Sequence, residues 1–476
     1  MDYIKYIEEY KDEMIETLCH LISIKSVREE SVTTDEGEIY PFGHGVQKAY
    51  EYTMNKAREM GFKVENIDNY GGHIEMGTGK EIMGIIGHLD VVPEGEGWDY
   101  QPYGGEIVDD IIYGRGTTDD KGPVVACLYA MKALKEAGFV PKQRIRLILG
   151  LDEETCWDGV EYYEKHTEMP DYGFTPDADF PAINGEKGIL VFDIAKKFSK
   201  TTVKGLELTS IKGGNAANMV AEYARAVVRA QDPVIYDNIK ELGNEFRAKT
   251  GYKINFKGVG KSLEITTYGK SAHGASPQLG VNGISIMMEF LGKLNFVNED
   301  VNDFIGFYNE HIGFDLNGSN IGCPLEDEAS GKLTFNVGII DMTKEAVKLT
   351  VNVRYPVSCT EEQVYKGMEA NINKYNLGII KEKNQPPIYM DPESPMIKTL
   401  MDVYQKHTGD TDSKPLVIGG GTYARIAKNL VGFGAALPGE EDRMHQKNEC
   451  ISIDKLMLIT KIYADAIYGL SEIKGL

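Results

Sequence analysis

At 476 residues the chain is too long for one ordinary hydrophobic core, so two or three domains are expected. Its 42% hydrophobic and 26% charged content are those of a soluble globular protein. Lys+Arg 51 against Asp+Glu 73 leaves a formal charge of −22, which argues against nucleic acid and anionic membranes as partners.

The opening stretch MDYIKYIEEYKDEMIETL is acidic and helix-patterned, with no basic region followed by an apolar one. It does not read as a secretory signal. No apolar run approaches ~20 residues, so no transmembrane helix is expected and the location implied is cytoplasmic. Six scattered cysteines, Cys19, Cys127, Cys156, Cys323, Cys359 and Cys450, contain no CxxC and read as reduced core thiols. Cys156 stands near an acidic pair, where packing is the simpler role.

From residue 1 to 185 strand and helix patterns alternate. EIMGIIGHLDVV (81–92) is a near-continuous apolar run, as in a strand buried on both faces. PVVACLYAMKALKEAG (123–138) predicts a helix with Pro123 in its first position and Gly138 at its C-terminal cap. RIRLILGL (144–151) predicts a second buried strand, and TCWDGVEYYEKH a further helix. Strands spaced by helices imply an α/β layer with a mainly parallel central sheet. Between 186 and 384, LVFDIAK, SLEITTYG, KLTFNVGII and AVKLTVNVRYP alternate apolar and polar residues, with helical patterns at NMVAEYARAVVRA and GISIMMEFLGKL. This predicts a half-solvated antiparallel sheet with helices, an α+β domain in ferredoxin-like β-α-β-β-α-β style. From 385 to 476 helix–strand alternation returns and closes on IDKLMLITKIYADAIYGL. The simplest organisation is one domain, 1–185 with 385–476, interrupted by another at 186–384.

The chemistry-bearing residues fall at predicted strand ends and turns. In GLDEET, Glu153 and Glu154 end an apolar strand. Neighbouring strand residues face opposite ways, so one carboxylate can hold a metal while the other handles protons. An isolated EE ordinarily means solvated loop acids; the company it keeps changes that reading. His88 and Asp90 in HLD share one strand face, so Asp90 can orient a metal-binding imidazole. GRGTTDDKGP sets Asp119 and Asp120 in a glycine-flanked turn before a helix. A helix cap is the plain alternative, but it does not call for the flanking glycines. FTPDADFP offers Asp177, otherwise a turn aspartate, and EEDRMHQKNE brings His445 in a charged loop. His88, Asp119, Glu154, Asp177 and His445 supply nitrogen and oxygen donors that suit zinc or manganese and exclude a thiolate site. Five donors are too many for one open tetrahedral ion. They suit two ions about 3.5–4 Å apart sharing a carboxylate.

In this order, HLD, GRGTTDDKGP, DEET, TPDADFP and MHQKNE resemble the M20 metallopeptidases, specifically their dipeptidase V branch, which is related to carnosinase. The resemblance spans nearly the whole chain. It implies a zinc-peptidase-type catalytic domain with an inserted lid domain. It implies that His88 and Asp177 hold one ion, Glu154 and His445 the other, and that Asp119 bridges them. It further implies that Asp90 clamps His88, that Glu153 is the general base, and that the Asp119–Asp120 peptide is cis. Aspartate at position 177 matches the amino- and dipeptidases, which act on a free α-amine; deacylases and carboxypeptidases tend to carry glutamate there.

In the lid, His273 of KSAHGASP resembles the histidine that polarises the scissile carbonyl. Asn218 of GGNAANMV and Arg354 of NVRYPV resemble the groups that hold substrate, Arg354 on its carboxylate. In GGGTYAR, Gly420, Gly421 and Thr422 can present N–H groups to the same carboxylate. The expected activity is hydrolysis of unblocked dipeptides with two divalent ions, zinc first, manganese or cobalt as alternatives. The large lid is compatible with a monomer, with a dimer left open. An N-acyl amino acid amidohydrolase of aminoacylase or desuccinylase type is the alternative enzyme, and a non-catalytic peptide- or metal-binding protein the alternative class.

Overall fold

The computed structural model describes residues 2–441 and 443–473. They form two compact units: Met1–Asn184 with Met390–Leu416 and Gly421–Leu476, and Gly185–Tyr389 with Val417–Gly420. Each has its own apolar core.

The first unit is built on strands Leu430–Gly432, Tyr172–Thr175, Ile82–His88 and Arg144–Gly150, parallel and adjacent in that order. Gly71–Gly77 pairs antiparallel with Arg144–Gly150, and Lys63–Ile67 in turn pairs antiparallel with Gly71–Gly77 at the sheet edge. Strands Ile82–His88 and Arg144–Gly150 run in register to the pair His88↔Gly150, so their carboxyl ends stop together. In open α/β sheets that edge is where ligands bind. Strand Tyr172–Thr175 lies so near its neighbour that a Cβ on Gly173 would fall 1.8 Å from the Gly84 carbonyl oxygen. Only glycine fits there.

The central helix is Lys121–Glu136, buried on every side from Lys121 to Leu134 and packed on Ile453–Ser471. An all-round apolar helix belongs in a core. It starts two residues before the predicted position, so Pro123 is its third residue. A proline in the first turn costs nothing, because the N–H groups there have no helical partner. The helix predicted from Thr155 begins only at Asp158. The N-terminal pattern forms two helices, Tyr3–Glu9 and Lys11–Ser23.

A buried ion pair supports the sheet. Arg146 donates from Nε and NH2 to Glu75 Oε2 at 3.1 and 2.8 Å, and from NH1 to the Glu168 carbonyl at 2.8 Å. Arg146→Ala leaves Glu75 buried and charged, with the exposed Lys63 Nζ, 3.3 Å from Oε1, as its remaining cationic partner. The expected loss is about 3–5 kcal/mol of stability, read as a lower midpoint in urea unfolding at unchanged m. A midpoint shift worth under about 1 kcal/mol would show that Lys63 and water take over the guanidinium's role.

The second unit carries an eight-stranded, wholly antiparallel sheet. Its order is Lys253–Val259, Ser262–Tyr268, Tyr223–Arg229, Glu207–Gly213, Thr334–Met342, Ala346–Tyr355, Gly188–Lys197, Gly378–Gln385. Helices Val234–Thr250, Gly283–Leu291, Glu299–His311 and Glu361–Lys374 complete it. One expectation is overturned: NMVAEYARAVVRA is not helical. Tyr223–Arg229 is a central strand paired on both sides. Ala224, Ala226 and Val228 are buried while Tyr223, Arg225 and Arg229 are not, a period of two. The alanines favour helix locally, but on this strand their small size lets helix Gly283–Leu291 pack closely.

All six cysteines are free. Cys127 and Cys323 are core thiols as expected; Cys156 is exposed, 3.3 Å from Arg28 NH1, so the packing role assigned to it is wrong. Among the described residues no helix is long and apolar enough to cross a membrane.

Candidate metal centre

His88 ends its strand fully buried. Its Nδ1 lies 3.0 Å from the Asp90 carbonyl oxygen and 3.3 Å from Asp90 Oδ1, which leaves Nε2 facing the other way. There it meets Asp119 Oδ1 at 3.0 Å and Asp177 Oδ2 at 3.5 Å. The other oxygen of Asp119, Oδ2, lies 2.9 Å from His445 Nε2, and that nitrogen is 3.0 Å from Glu154 Oε1. One carboxylate thus stands between two imidazoles, each also facing a second carboxylate. All five donors named from the sequence come together in the first unit.

The acidic pair does not end a strand. Strand Arg144–Gly150 stops earlier, and Glu153 and Glu154 lie in the following turn. Strand alternation therefore does not orient them. Asp90 does: Oδ1 accepts from the Glu153 N–H and Oδ2 from the Glu154 N–H, both at 3.1 Å. Asp90 serves the imidazole and the pair at once. Asp152, buried, accepts from the Asp158 and Gly159 N–H groups at 2.8 and 3.0 Å and closes the turn. Atoms of His88, Glu153 and Asp177 lie mutually within 4.8 Å, as do those of His88, Asp119 and Glu154. Glu153 is therefore close enough to be a ligand or to serve as a base.

The Asp119–Asp120 peptide is cis. Asp120 stands at the helix N-cap position but makes no capping bond; its Oδ2 accepts from the His88 N–H at 3.0 Å. His445 adopts left-handed backbone, φ 61°, uncommon outside glycine. Asn448 holds its loop, donating to Asp99 Oδ2 at 2.6 Å and accepting from the Asp99 N–H at 2.9 Å. The His445 side chain remains 51% exposed, so this end of the cluster opens to solvent while the His88 end is sealed.

Four carboxylates and two imidazoles share this space, and their ionisation reflects it. Burial, then Asp177, pushes the Glu153 carboxyl well above its usual range. Burial, then Asp119, raises Glu154 to about 7. Asp119 is also buried, but hydrogen bonds from His445 and His88 outweigh that and hold it below the ordinary range. Burial opposes a charge on His88, yet Asp119, Asp177 and Asp90 raise it well above 6.5. Asp119 and Glu154 raise His445 to about 11. Each metal-free imidazole therefore holds its proton more tightly than a free one, because carboxylates face it. The donor set fits divalent ions in the protons' place.

Metal uptake must expel those protons. Titration calorimetry in buffers of different ionisation enthalpy is expected to show net proton release, with affinity falling as pH drops from about 11, where His445 begins to hold its proton, through the neutral range. A heat independent of buffer would contradict the raised imidazoles.

Asn218, His273 and Arg354, expected in the lid, fall in the second unit, as does Gly420, while Gly421 and Thr422 fall in the first. Asn218 and His273 are neighbours: the Asn218 carbonyl accepts from the Gly274 N–H at 2.6 Å, and Met219 bridges His273. Asn336 secures that segment, donating to the Ala217 and Met219 carbonyls at 3.1 and 2.9 Å. On the next strand Arg354, buried, donates to Asn352 Oδ1 and to the Gly419 carbonyl, both at 2.9 Å. Asn218, His273, Arg354 and Gly420 thus gather at one end of that sheet. Thr422 in the first unit uses its hydroxyl to accept from the Ala424 N–H at 3.1 Å.

Sequence reasoning named neither Asp152 nor Glu449. Glu449 offered one signal, its place four residues after His445.

The model of Peptidase family M20/M25/M40 matches residues 84–469. Relatives named as putative dipeptidases include two from staphylococci. That of Staphylococcus epidermidis is 38% identical over 467 residues, 97% of this chain and 98% of the relative. That of Staphylococcus haemolyticus is 37% identical over 470 residues, 98% of each. Among solved structures, human carnosine dipeptidase 1 is 16% identical with a TM-score of 0.53, covering 99% of both chains. The di-peptidase Dug1p of Saccharomyces cerevisiae is 14% identical with a TM-score of 0.55, covering 99% of this chain and 98% of its own. At such identities the structural likeness speaks for the fold.

Proposed function

This chain belongs to peptidase family M20/M25/M40 and is a peptide hydrolase, and we propose that its substrates are unblocked dipeptides, cleaved with two divalent ions in the His88–His445 cluster. The observation that most supports this reading is the single Asp119 carboxylate shared between His88 Nε2 and His445 Nε2. His88 and Asp177 would hold one ion, Glu154 and His445 the other, with Asp119 common to both. When bound, the ions supply Lewis-acid activation of water and of the scissile carbonyl. Zinc suits these donors, as do manganese and cobalt.

The residues themselves do the rest. Asp90 holds the His88 ring and the N–H groups of Glu153 and Glu154, so the base and the ligand keep fixed positions. Glu153 takes a proton from the attacking water on its carboxylate and returns it to the leaving amine. Its burial among carboxylates raises its proton affinity, which suits a group that must both accept and release. His273 is assigned to the carbonyl oxygen as it gains charge. Asn218 and Arg354 are assigned to the substrate backbone, with Arg354 and the Gly420–Thr422 stretch on the terminal carboxylate. An amine contact and a carboxylate contact together measure length, which favours two residues over three.

The names of the two staphylococcal relatives agree with this choice. Against it stands removal of an N-acyl group by the same cluster. Comparing one dipeptide with its N-acetylated form decides. The free dipeptide is expected to give kcat/KM higher by 10²-fold or more, about 3 kcal/mol for a lost charged contact. Equal or faster cleavage of the acetylated form would favour the amidohydrolase.

A further inference from the structure

Four residues past His445 lies a carboxylate that touches none of the proposed ligands' side chains. Glu449 has no solvent exposure. Its Oε2 accepts from Arg115 NH1 at 2.7 Å and from the Gly116 N–H at 3.1 Å. Its Oε1 accepts from the N–H groups of Gly116, Thr118 and Asp119 at 3.1, 2.9 and 3.2 Å. The main chain adds two bonds: the Glu449 carbonyl accepts from the Gly114 N–H at 2.9 Å, and the Cys450 carbonyl from the Thr118 hydroxyl at 3.0 Å. Residues 114–119 therefore wrap around one side chain as a concave nest of N–H groups.

Packing alone does not account for this. A buried carboxylate is costly unless every lone pair is matched, and an apolar residue of similar size would stabilise a core as well. What the carboxylate does, and an apolar residue cannot, is hold three backbone N–H groups of the turn that ends at Asp119. Since Glu449 shares a segment with His445, the same bonds tie the loop of the shared aspartate to the loop of one of its two imidazoles.

We propose that Glu449 is a positioning residue for the metal centre: it locks residues 114–119 against the His445 segment so that Asp119 meets His88 and His445 at once. Arg115 balances its charge, with the guanidinium 5.3 Å over the Trp98 ring. The inference rests on the cluster being a metal centre.

The test uses the full chain, stripped of metal by chelator and titrated with zinc against a chromophoric competitor. Glu449→Gln keeps the size but sets an amide –NH2 against N–H donors. Zinc affinity is expected to fall about 10–100-fold, the usual cost of losing a residue that supports metal ligands, while unfolding stays cooperative. Activity lost at limiting zinc should return at saturating zinc. Arg146→Ala, remote from this nest, is the control: it should lower the melting temperature and leave zinc affinity unchanged. If Glu449→Gln does not fold, Glu449→Asp, too short to reach all its donors, takes its place with the same expected direction. Zinc affinity equal to that of the unaltered protein in the folded variant would overturn the positioning role. An unaltered protein that takes up no zinc, manganese or cobalt would instead overturn the metal reading itself.

Discussion

Glu153→Gln is expected to stop turnover and leave metal content untouched. The amide is the same size and can still accept a hydrogen bond, but it cannot carry a proton from water to the leaving amine. Positioned proton transfer contributes ~10²–10⁴-fold, roughly 3–5 kcal/mol of barrier, and kcat should fall by at least that. KM should move little, because Glu153 is assigned no contact with either end of the substrate. The experiment is sharp because the metal-free geometry allows another outcome: Glu153 lies within 4.8 Å of ligand atoms on His88 and Asp177. Measured metal content separates the two. Retention with lost kcat makes Glu153 the base. Loss of an ion from Glu153→Gln, with Glu154→Gln keeping both, would mean the roles of the neighbours are exchanged.

Asp119→Ala should have a still broader effect. Its two oxygens face two imidazoles at 3.0 and 2.9 Å, so no other side chain in the cluster can substitute for both. Loss of both ions is expected, and with them several kcal/mol of Lewis-acid assistance, ~10³-fold or more in kcat/KM. His445→Ala should remove only the more exposed ion. Asp119 also heads the influences that raise His445 and, after the opposing effect of burial, those that raise His88. Without it both imidazoles become weaker bases, so less proton release should accompany any remaining metal uptake. A variant that keeps both ions and most of its activity would end the shared-carboxylate reading.

The clustered side chains were legible because each stands where local chemistry marks a break: His88 at the end of an apolar run, Asp119 among glycines, Asp177 after a proline, His445 in a charged loop. A buried strand has to end somewhere, and polar groups at its end point toward the edge where ligands bind. Other features were misread for equally local reasons. AEYARAVVRA has a helix-forming composition, and only its two neighbouring strands and the helix packed on it make it a strand. Glu153 and Glu154 looked like strand residues because the apolar run continues to Leu151; in fact Asp90, more than sixty positions earlier, orients them.

Glu449 marks the boundary between the two kinds of knowledge. Residue types and their order along the chain were enough to name the residues that cluster, the family resemblance and the α/β character, since those depend on side-chain chemistry and short-range periodicity. Which oxygen faces which nitrogen, and what keeps it there, depends on backbone N–H groups that every residue but proline has. Those groups leave no trace in composition. They acquire a partner over three hundred positions away only when the folded chain brings the two segments together.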